Sequence, residues 1–414
     1  MKSALFLATV PETLSGFLLP FTNHFRSLGW RVDGMAQGIT KFPECEQRFD
    51  RVWDVEWSRN PLDPKNLLVA APRIQEVVTA EKYDIVHVHT PVAAFVTRFA
   101  LRNRQKQQKL SNTSVIYTAH GFHFYQGGNR LKNIIFLALE KLAGQWTDYL
   151  ITINQEDENA AKKYHLVPEN RVCYTPGIGV DTSLYNSSNV TTQEIEAVRQ
   201  ELGLKKEDVL FLCIAEFISR KRHRDILQAL KKLNNSHVHI AFAGDGILRE
   251  AMDNLSKELE LQNQVHFLGF RSDIPVLIRT SVAVLLTSEQ EGLPRSIMEA
   301  LCLETPVIGT DIRGTRDLLD EGCGLLVKVG DINGLALAMA WLLHHPQEAI
   351  AMGKRGKQKM AAYDTGNIIK CYENIYRQAM GNESFTVSPS GLEEDQTIPP
   401  QNSVSQFTRH NCNT

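Results

Sequence analysis

Two carboxylates stand eight residues apart in Ser288–Ala300, SEQEGLPRSIMEA: Glu291 and Glu299. Pro294 lies between them, and Arg295 follows it. Proline suits a first helical turn, where its missing N–H would have had no partner. A helix start gathers free N–H groups and the positive end of the macrodipole, so it can hold an anion. A carboxylate so near an anion site repels the anion unless it has another task, such as accepting hydrogen bonds from hydroxyls. Phosphate beside hydroxyl-binding carboxylates describes a nucleotide sugar. On these residues alone, a plain strand–loop–helix with two solvated glutamates competes with that reading.

Two further groups carry chemistry. Arg220, Lys221 and Arg222 directly precede a helix that Asp225 helps to open, which makes a diphosphate site or else a solvated charge run. In DIVHVHT (Asp84–Thr90) alternation puts His87 and His89 on one face of a strand, and the next strand ends at His120–Gly121–Phe122–His123. Four histidines therefore converge on one end of a sheet. No carboxylate or cysteine stands in close register with them, so packing or a polar network is preferred over a metal site for His87 and His89. Gly16, after the first strand, either lets a backbone approach a ligand or makes a simple turn after which a helix begins.

The elements that position these groups are strands alternating with helices, the pattern of parallel sheets whose ligands gather at strand C-terminal ends. Apolar runs predict strands at Ala4–Val10, Asp84–Thr90, Val115–Ala119, between two helices within Leu139–Ala161, and at Arg171–Thr175. A second series is predicted at Val209–Ala215, His237–Ala243, Val265–Phe270, Val282–Thr287, Thr305–Gly314 (strand and turn) and Gly324–Val327. At 414 residues the chain fits two domains rather than one core. The Gly-rich PGIGVDTSLY places a boundary near residue 185, giving domains over 1–185 and 186–362. Apolar residues at helical spacing predict a last helix within 363–381. The polar 382–414 reads as a disordered tail.

Composition narrows the class. A formal net charge of −2 argues against a nucleic-acid binder. Seven dispersed cysteines with no CxxC pair read as reduced thiols of a cytoplasmic protein. No apolar run reaches the ~18 residues of a spanning helix. Membrane contact would then be peripheral.

The spacing of Glu291 and Glu299, with PRSIMEALCLETPVIGTDIRGTRDLL, resembles the E-x7-E segment of retaining glycosyltransferases of family 4. TAHGFHFY, around His120, is similar to the T-x-H-G segment of that family, and the resemblance spans roughly residues 1–380. It implies the GT-B fold, α/β: two Rossmann-like domains with parallel sheets facing across a cleft, and a C-terminal helix crossing back to the first domain. It implies Glu291 and His120 at the transferred sugar and Glu299 at the ribose hydroxyls. Lys221 with Arg220 would meet the diphosphate. Phe270 and Arg271 would bracket the nucleobase, and Gly16, Gly292, Leu293 and Arg295 would complete the donor site. Two departures stand out. Glu216 occupies a position where arginine is common, and Pro294 one where glycine is common, with Arg295 as its substitute.

Between Ile85 and Leu139 there is no Asp or Glu, while Arg98, Arg102, Arg104, Lys106, Lys109, Arg130 and Lys132 all fall there. A solvated helix face competes with docking to anionic lipid, at about 1 kcal/mol per basic residue near the surface. The expectation is a metal-independent, cofactor-free enzyme moving a hexose or N-acetylhexosamine from a UDP-sugar to a lipid-linked or saccharide acceptor. It would act in the cytoplasm, peripherally at the inner face of the plasma membrane. A nucleotide-sugar 2-epimerase and a non-catalytic sugar-nucleotide-binding subunit are the rivals.

Overall fold

The computed structural model describes residues 1–58, 60, 63–107 and 110–381. The tail expected over 382–414 lies outside the described residues, as does Lys109. Seven strands form the first sheet: β1 (Ser3–Leu7), β2 (Arg31–Ala36), β3 (Val52–Asp54), β4 (Ile85–Val88), β5 (Ser114–Ala119), β6 (Tyr149–Thr152) and β7 (Val172–Tyr174). They run parallel in the order β3-β2-β1-β4-β5-β6-β7. The second sheet has β8 (Val209–Ile214), β9 (Val238–Ala243), β10 (Val265–Gly269), β11 (Ala283–Leu286), β12 (Val307–Thr310) and β13 (Gly324–Val327), parallel in the order β10-β9-β8-β11-β12-β13. In each sheet the order reverses beside the first strand, which opens a crevice at the strand C-terminal ends.

Helices cover both faces, so the central strands are buried on both sides and read as apolar runs. Each face has its own core. The helices Ala71–Glu81, Pro91–Ala100 and Arg130–Gly144 pack on one side of the first sheet, and Leu19–Ser27 with Thr365–Ala379 on the other. The last helix therefore does cross back. Tyr372 and Tyr376 insert into the first core, where Tyr376 stacks on Phe25 with ring centroids 4.8 Å apart. The chain passes between domains twice, and the two passages pair. Val180 N–H donates to the Tyr363 carbonyl at 2.9 Å and Thr365 N–H to the Val180 carbonyl at 3.1 Å.

Three details differ from the sequence reading. Strands β2 and β3 carried no prediction, since RVDGMA buries Asp33 and Gly34 among its apolar residues. The residues after Val10 do not loop; Pro11–Phe17 is a helix, with proline in its first turn, and Gly16 lies inside it. Several strands end one to three residues before the apolar run does. Among the described residues no helix is long and apolar enough to cross a membrane.

Candidate active site

Strand β11 hands over through Thr287–Glu291 to the helix Arg295–Cys302, with Pro294 as its N-cap. Ile297, Met298, Ala300 and Leu301 anchor that helix in the second core, so its N-terminus cannot wander. The turn after β8 is tied to the same loop. Thr287 Oγ1 donates to the Lys221 carbonyl at 2.9 Å, and Glu289 N–H to the Arg220 carbonyl at 2.8 Å. These bonds bring the basic run to the first glutamate. Lys221 Nζ lies 2.5 Å from Glu291 Oε1, and Arg220 Nη1 3.7 Å from Oε2. Arg222 goes elsewhere, pairing with Asp225 at 2.6 Å and Glu289 at 2.8 Å. Two of the three cations face the site.

Glu299 is buried beneath this loop. Burial pushes its carboxyl above the usual range, while Arg295 and a hydrogen bond from Tyr185 pull it back. Arg295 sits 2.8 Å from Glu299 and reaches across the cleft, donating from Nη1 to the Gly16 carbonyl at 3.0 Å. It acts as a strut between domains, not as a free anion ligand. Gly16 thus joins the site through its carbonyl.

The first domain closes onto the same loop. A Cβ on Gly292 would lie 1.9 Å from the His120 carbonyl oxygen, and one on Gly314 (φ +72°) 1.9 Å from the Gly292 carbonyl oxygen. Backbone therefore touches backbone, and only glycine permits it. Leu293 packs over Gly177. His120 is the open end of a histidine row. His87 bonds Tyr376 Oη at 2.6 Å and Thr118 Oγ1 at 2.8 Å, its ring lies 4.1 Å from that of His89, and His89 Nδ1 is 3.3 Å from His120 Nε2. Burial holds all three neutral, with His87 and His89 well below the ordinary value and His120 at about 4. A neutral imidazole can donate to or accept from a sugar hydroxyl without a charge to neutralise. His123 leaves the row and packs edge-on against Phe136. Among the described residues no group of three or more His, Cys, Asp or Glu is arranged to hold a metal ion.

One feature of the site had no signal in the sequence. Arg313, in the turn after β12, is buried and donates to Asp157 Oδ1 at 2.6 Å, to the carbonyls of Phe122 and Phe124, and to the Glu291 carbonyl at 3.2 Å. Asp157 also receives the Phe122 N–H at 3.1 Å and Asn154 Nδ2 at 2.8 Å. The acidic turn Glu156–Glu158 reads as a helix cap, and Asn154 does cap that helix. Asp157 is instead half of a buried ion pair between domains.

The two residues expected at the nucleobase follow β10, the edge strand of the second sheet. Arg271 is held by Glu201 at 2.5 Å and Asp273 at 2.7 Å, while Phe270 is exposed beside it. Glu216 is exposed. On the first-domain side a cavity of about 840 Å³ is lined by Pro11, Glu12, Phe42, Glu56, Trp57 and Val69, among others.

The basic stretch divides as well. Arg98 is buried against Glu140 at 3.0 Å with its guanidinium over Tyr117, and Arg104 is buried against Asp148 and the Trp146 carbonyl. These two are internal ties. Arg102 and Lys106 are exposed, but they follow the C-terminal end of the helix Pro91–Ala100 and precede β5, at the end of the sheet away from His120.

Comparison with known proteins bears on this geometry. Residues 17–184 match the model "Glycosyltransferase Family 4", and residues 194–359 match "Glycosyl transferases group 1". EpsD of Bacillus subtilis (strain 168), named as a glycosyltransferase, is 32% identical over 382 residues, covering 92% of this chain and 97% of that protein. The UDP-Gal:alpha-D-GlcNAc-diphosphoundecaprenol alpha-1,3-galactosyltransferase of Escherichia coli is 27% identical, over 64% of this chain and 68% of its own. Among solved structures, HepE of Anabaena in complex with UDP superposes with a TM-score of 0.74 at 20% identity, covering 91% of this chain and all (100%) of that one. The fold is shared with that protein.

Proposed function

The chain belongs to the family 4 glycosyltransferases, and on that premise we propose that it transfers a sugar from a UDP-sugar with retention of configuration, onto an acceptor carried on a lipid. The observation that carries the reading is the contact of Gly292 with the His120 carbonyl. It sets Glu291, Lys221 and Glu299 of the second domain against a neutral histidine of the first. In this reading Glu299 and Tyr185 serve the ribose, Lys221 and Arg220 the diphosphate, and Glu291 and His120 the sugar. Phe270 offers a free ring as a shelf for the base. Supporting the donor and acceptor classes, HepE binds UDP, and the E. coli relative uses UDP-Gal and a diphosphoundecaprenol-linked sugar.

The chemistry follows from these placements. The bond from C1 to the diphosphate oxygen breaks as the acceptor oxygen attacks from the same face, and the acceptor proton passes to the departing phosphate oxygen. Glu291 stays a positioning carboxylate because Lys221 holds it. The charge that grows on the diphosphate meets Lys221, Arg220 and the N–H groups of the helix Arg295–Cys302, which act in place of a divalent ion. The work is done from the cytoplasm, at the anionic inner face of the plasma membrane.

The test is incubation with radiolabelled UDP-sugars and lipid-linked acceptor, before and after EDTA, with the product anomer read by NMR. Transfer with the donor's anomeric configuration, indifferent to chelation and lost in Lys221→Ala, is expected. An inverted anomer overturns retention, and activity restored by magnesium after EDTA overturns the fixed-cation scheme. Epimerised donor without a transfer product would establish the 2-epimerase instead.

A further inference from the structure

The helix Arg130–Gly144 packs Phe136 and Leu137 on the core of the first sheet and carries a second apolar face outward. Its outward face carries Leu131 (68% exposed), Ile134 (65%), Ile135 (49%) and, two turns on, Leu142. These residues recur at helical spacing, so they form one continuous stripe. A second exposed apolar segment, Leu67–Val69 with Leu68 at 74%, precedes the helix Ala71–Glu81. Both segments pack on the same core of the first sheet, on either side of the helix Pro91–Ala100. Leu67–Val69 follows β3 and Leu131–Ile135 open the helix after β5, so these lie toward the cleft end of that face, where His120 sits, while Leu142 lies two turns toward the other end. Val69 lines the 840 Å³ cavity as well. Apolar patches of this kind on a soluble fold mark an interaction surface.

We infer that this stripe is the surface by which the enzyme lies on an anionic lipid bilayer, with the cleft turned toward the headgroups. Charge selects the occupant. Arg130, Lys132 and Lys141 are exposed along the stripe, and no Asp or Glu occurs from residue 85 to 139. Beside the helix the carboxylates are engaged, Glu140 on Arg98 and Glu156 on the Gln126 amide, while Glu12, Glu56 and Asp63 line the cavity beside Val69, so the basic rim belongs to the helix and not to Leu67–Val69. An apolar helix face rimmed by lysine and arginine partitions into the headgroup boundary of anionic membranes. A second copy of the chain is a poorer occupant, because a two-fold contact along the stripe would set the basic set Arg130, Lys132 and Lys141 against the same set of its partner. The inference rests on the lipid-linked-acceptor reading and locates its membrane surface. Of the basic stretch it keeps Arg130 and Lys132 in that surface and leaves out Arg102 and Lys106, at the opposite end of the sheet.

The experiment is sedimentation of the full chain with large vesicles of phosphatidylcholine alone, or of phosphatidylcholine with phosphatidylglycerol. The variants are Leu131→Ser/Ile134→Ser/Ile135→Ser and, as the far-end control, Arg102→Gln/Lys106→Gln. All five side chains are exposed, so both variants fold, as circular dichroism would check. The wild type should bind the anionic vesicles and bind neutral ones more weakly. The triple variant should bind at least about tenfold more weakly, because three large aliphatic groups no longer leave water. The far-end variant should bind within about twofold of wild type. Equal binding by the triple variant, equal loss in the far-end variant, or no vesicle binding by the wild type overturns the assignment. A dimer in analytical ultracentrifugation that the triple variant abolishes overturns it in favour of self-association. The readout needs no turnover, so sugar transfer measured separately on a short-chain, water-soluble acceptor tells failure of this surface from failure of the glycosyltransferase reading.

Discussion

Arg313→Ala is the perturbation with the most to remove. The side chain is 3% exposed and its partner Asp157 1%, so neither charge has water to fall back on. Alanine deletes the 2.6 Å ion pair, the bonds to the carbonyls of Phe122, Phe124 and Glu291, and the packing of the guanidinium over Tyr125. Asp157 keeps only Asn154 and the Phe122 amide. Breaking a buried pair by removing one partner costs about 3–5 kcal/mol, most of it for the charge left behind. Denaturant unfolding followed by circular dichroism should show that loss. Arg313→Met with Asp157→Asn leaves no orphaned charge, so it should recover a large part, with a coupling of roughly 0.5–3 kcal/mol. Function should suffer beyond stability. Arg313 grips the backbone of Glu291 and of Phe122, two residues from His120, and a displacement of about 1 Å at reacting groups lowers rate by about 10²-fold. Single-turnover transfer by folded Arg313→Ala should therefore fall by that order while UDP affinity changes little. A stability loss under about 1 kcal/mol, or a double variant as unstable as the two singles summed, would refute the reasoning.

Three other outcomes follow from the site. Glu299→Ala should weaken UDP binding by roughly 1.5–3 kcal/mol, the worth of hydrogen bonds to a charged group, and calorimetry showing unchanged affinity would remove it from the ribose. Gly292→Ala puts a methyl where the His120 carbonyl stands, so the loop must shift; transfer should drop by about 10²-fold with the fold intact, and near-normal rates would mean the contact is not part of the working state. His120 is neutral with a folded value of about 4 against about 6.5 unfolded, so the unfolded chain takes up its proton first. Its stability contribution is complete above about 6.5 and is lost as pH falls toward 4, up to ~3 kcal/mol. His120→Gln should lose less stability than wild type over that window, and parallel midpoint-versus-pH curves would sink the assignment.

The sequence alone determined the alternation of strands and helices, the two sheets, a last helix within 363–381 and the pairing of Glu291 with Glu299 on one loop and helix; the return of that helix to the first domain was implied only by the family resemblance. Those features are local. Apolar period, turn residues and an eight-residue spacing act within a few turns of chain, and they read the same wherever the segment ends up. Even His87 and His89 were legible as one face of one strand. The choice of partner for each charge was not. Arg98, Arg102 and Arg104 look alike in a basic stretch, yet two are buried on Glu140 and Asp148 and one faces water. Arg295 looked free for a phosphate and spans to Gly16, and Asp157 looked like a cap and pairs with Arg313. An ion pair depends on which side chains burial brings together, across 156 residues for Asp157 and Arg313. The apolar stripe of Arg130–Gly144 was hidden for the same reason, since helical spacing shows that a face exists and only the packed neighbours show which face is left outside.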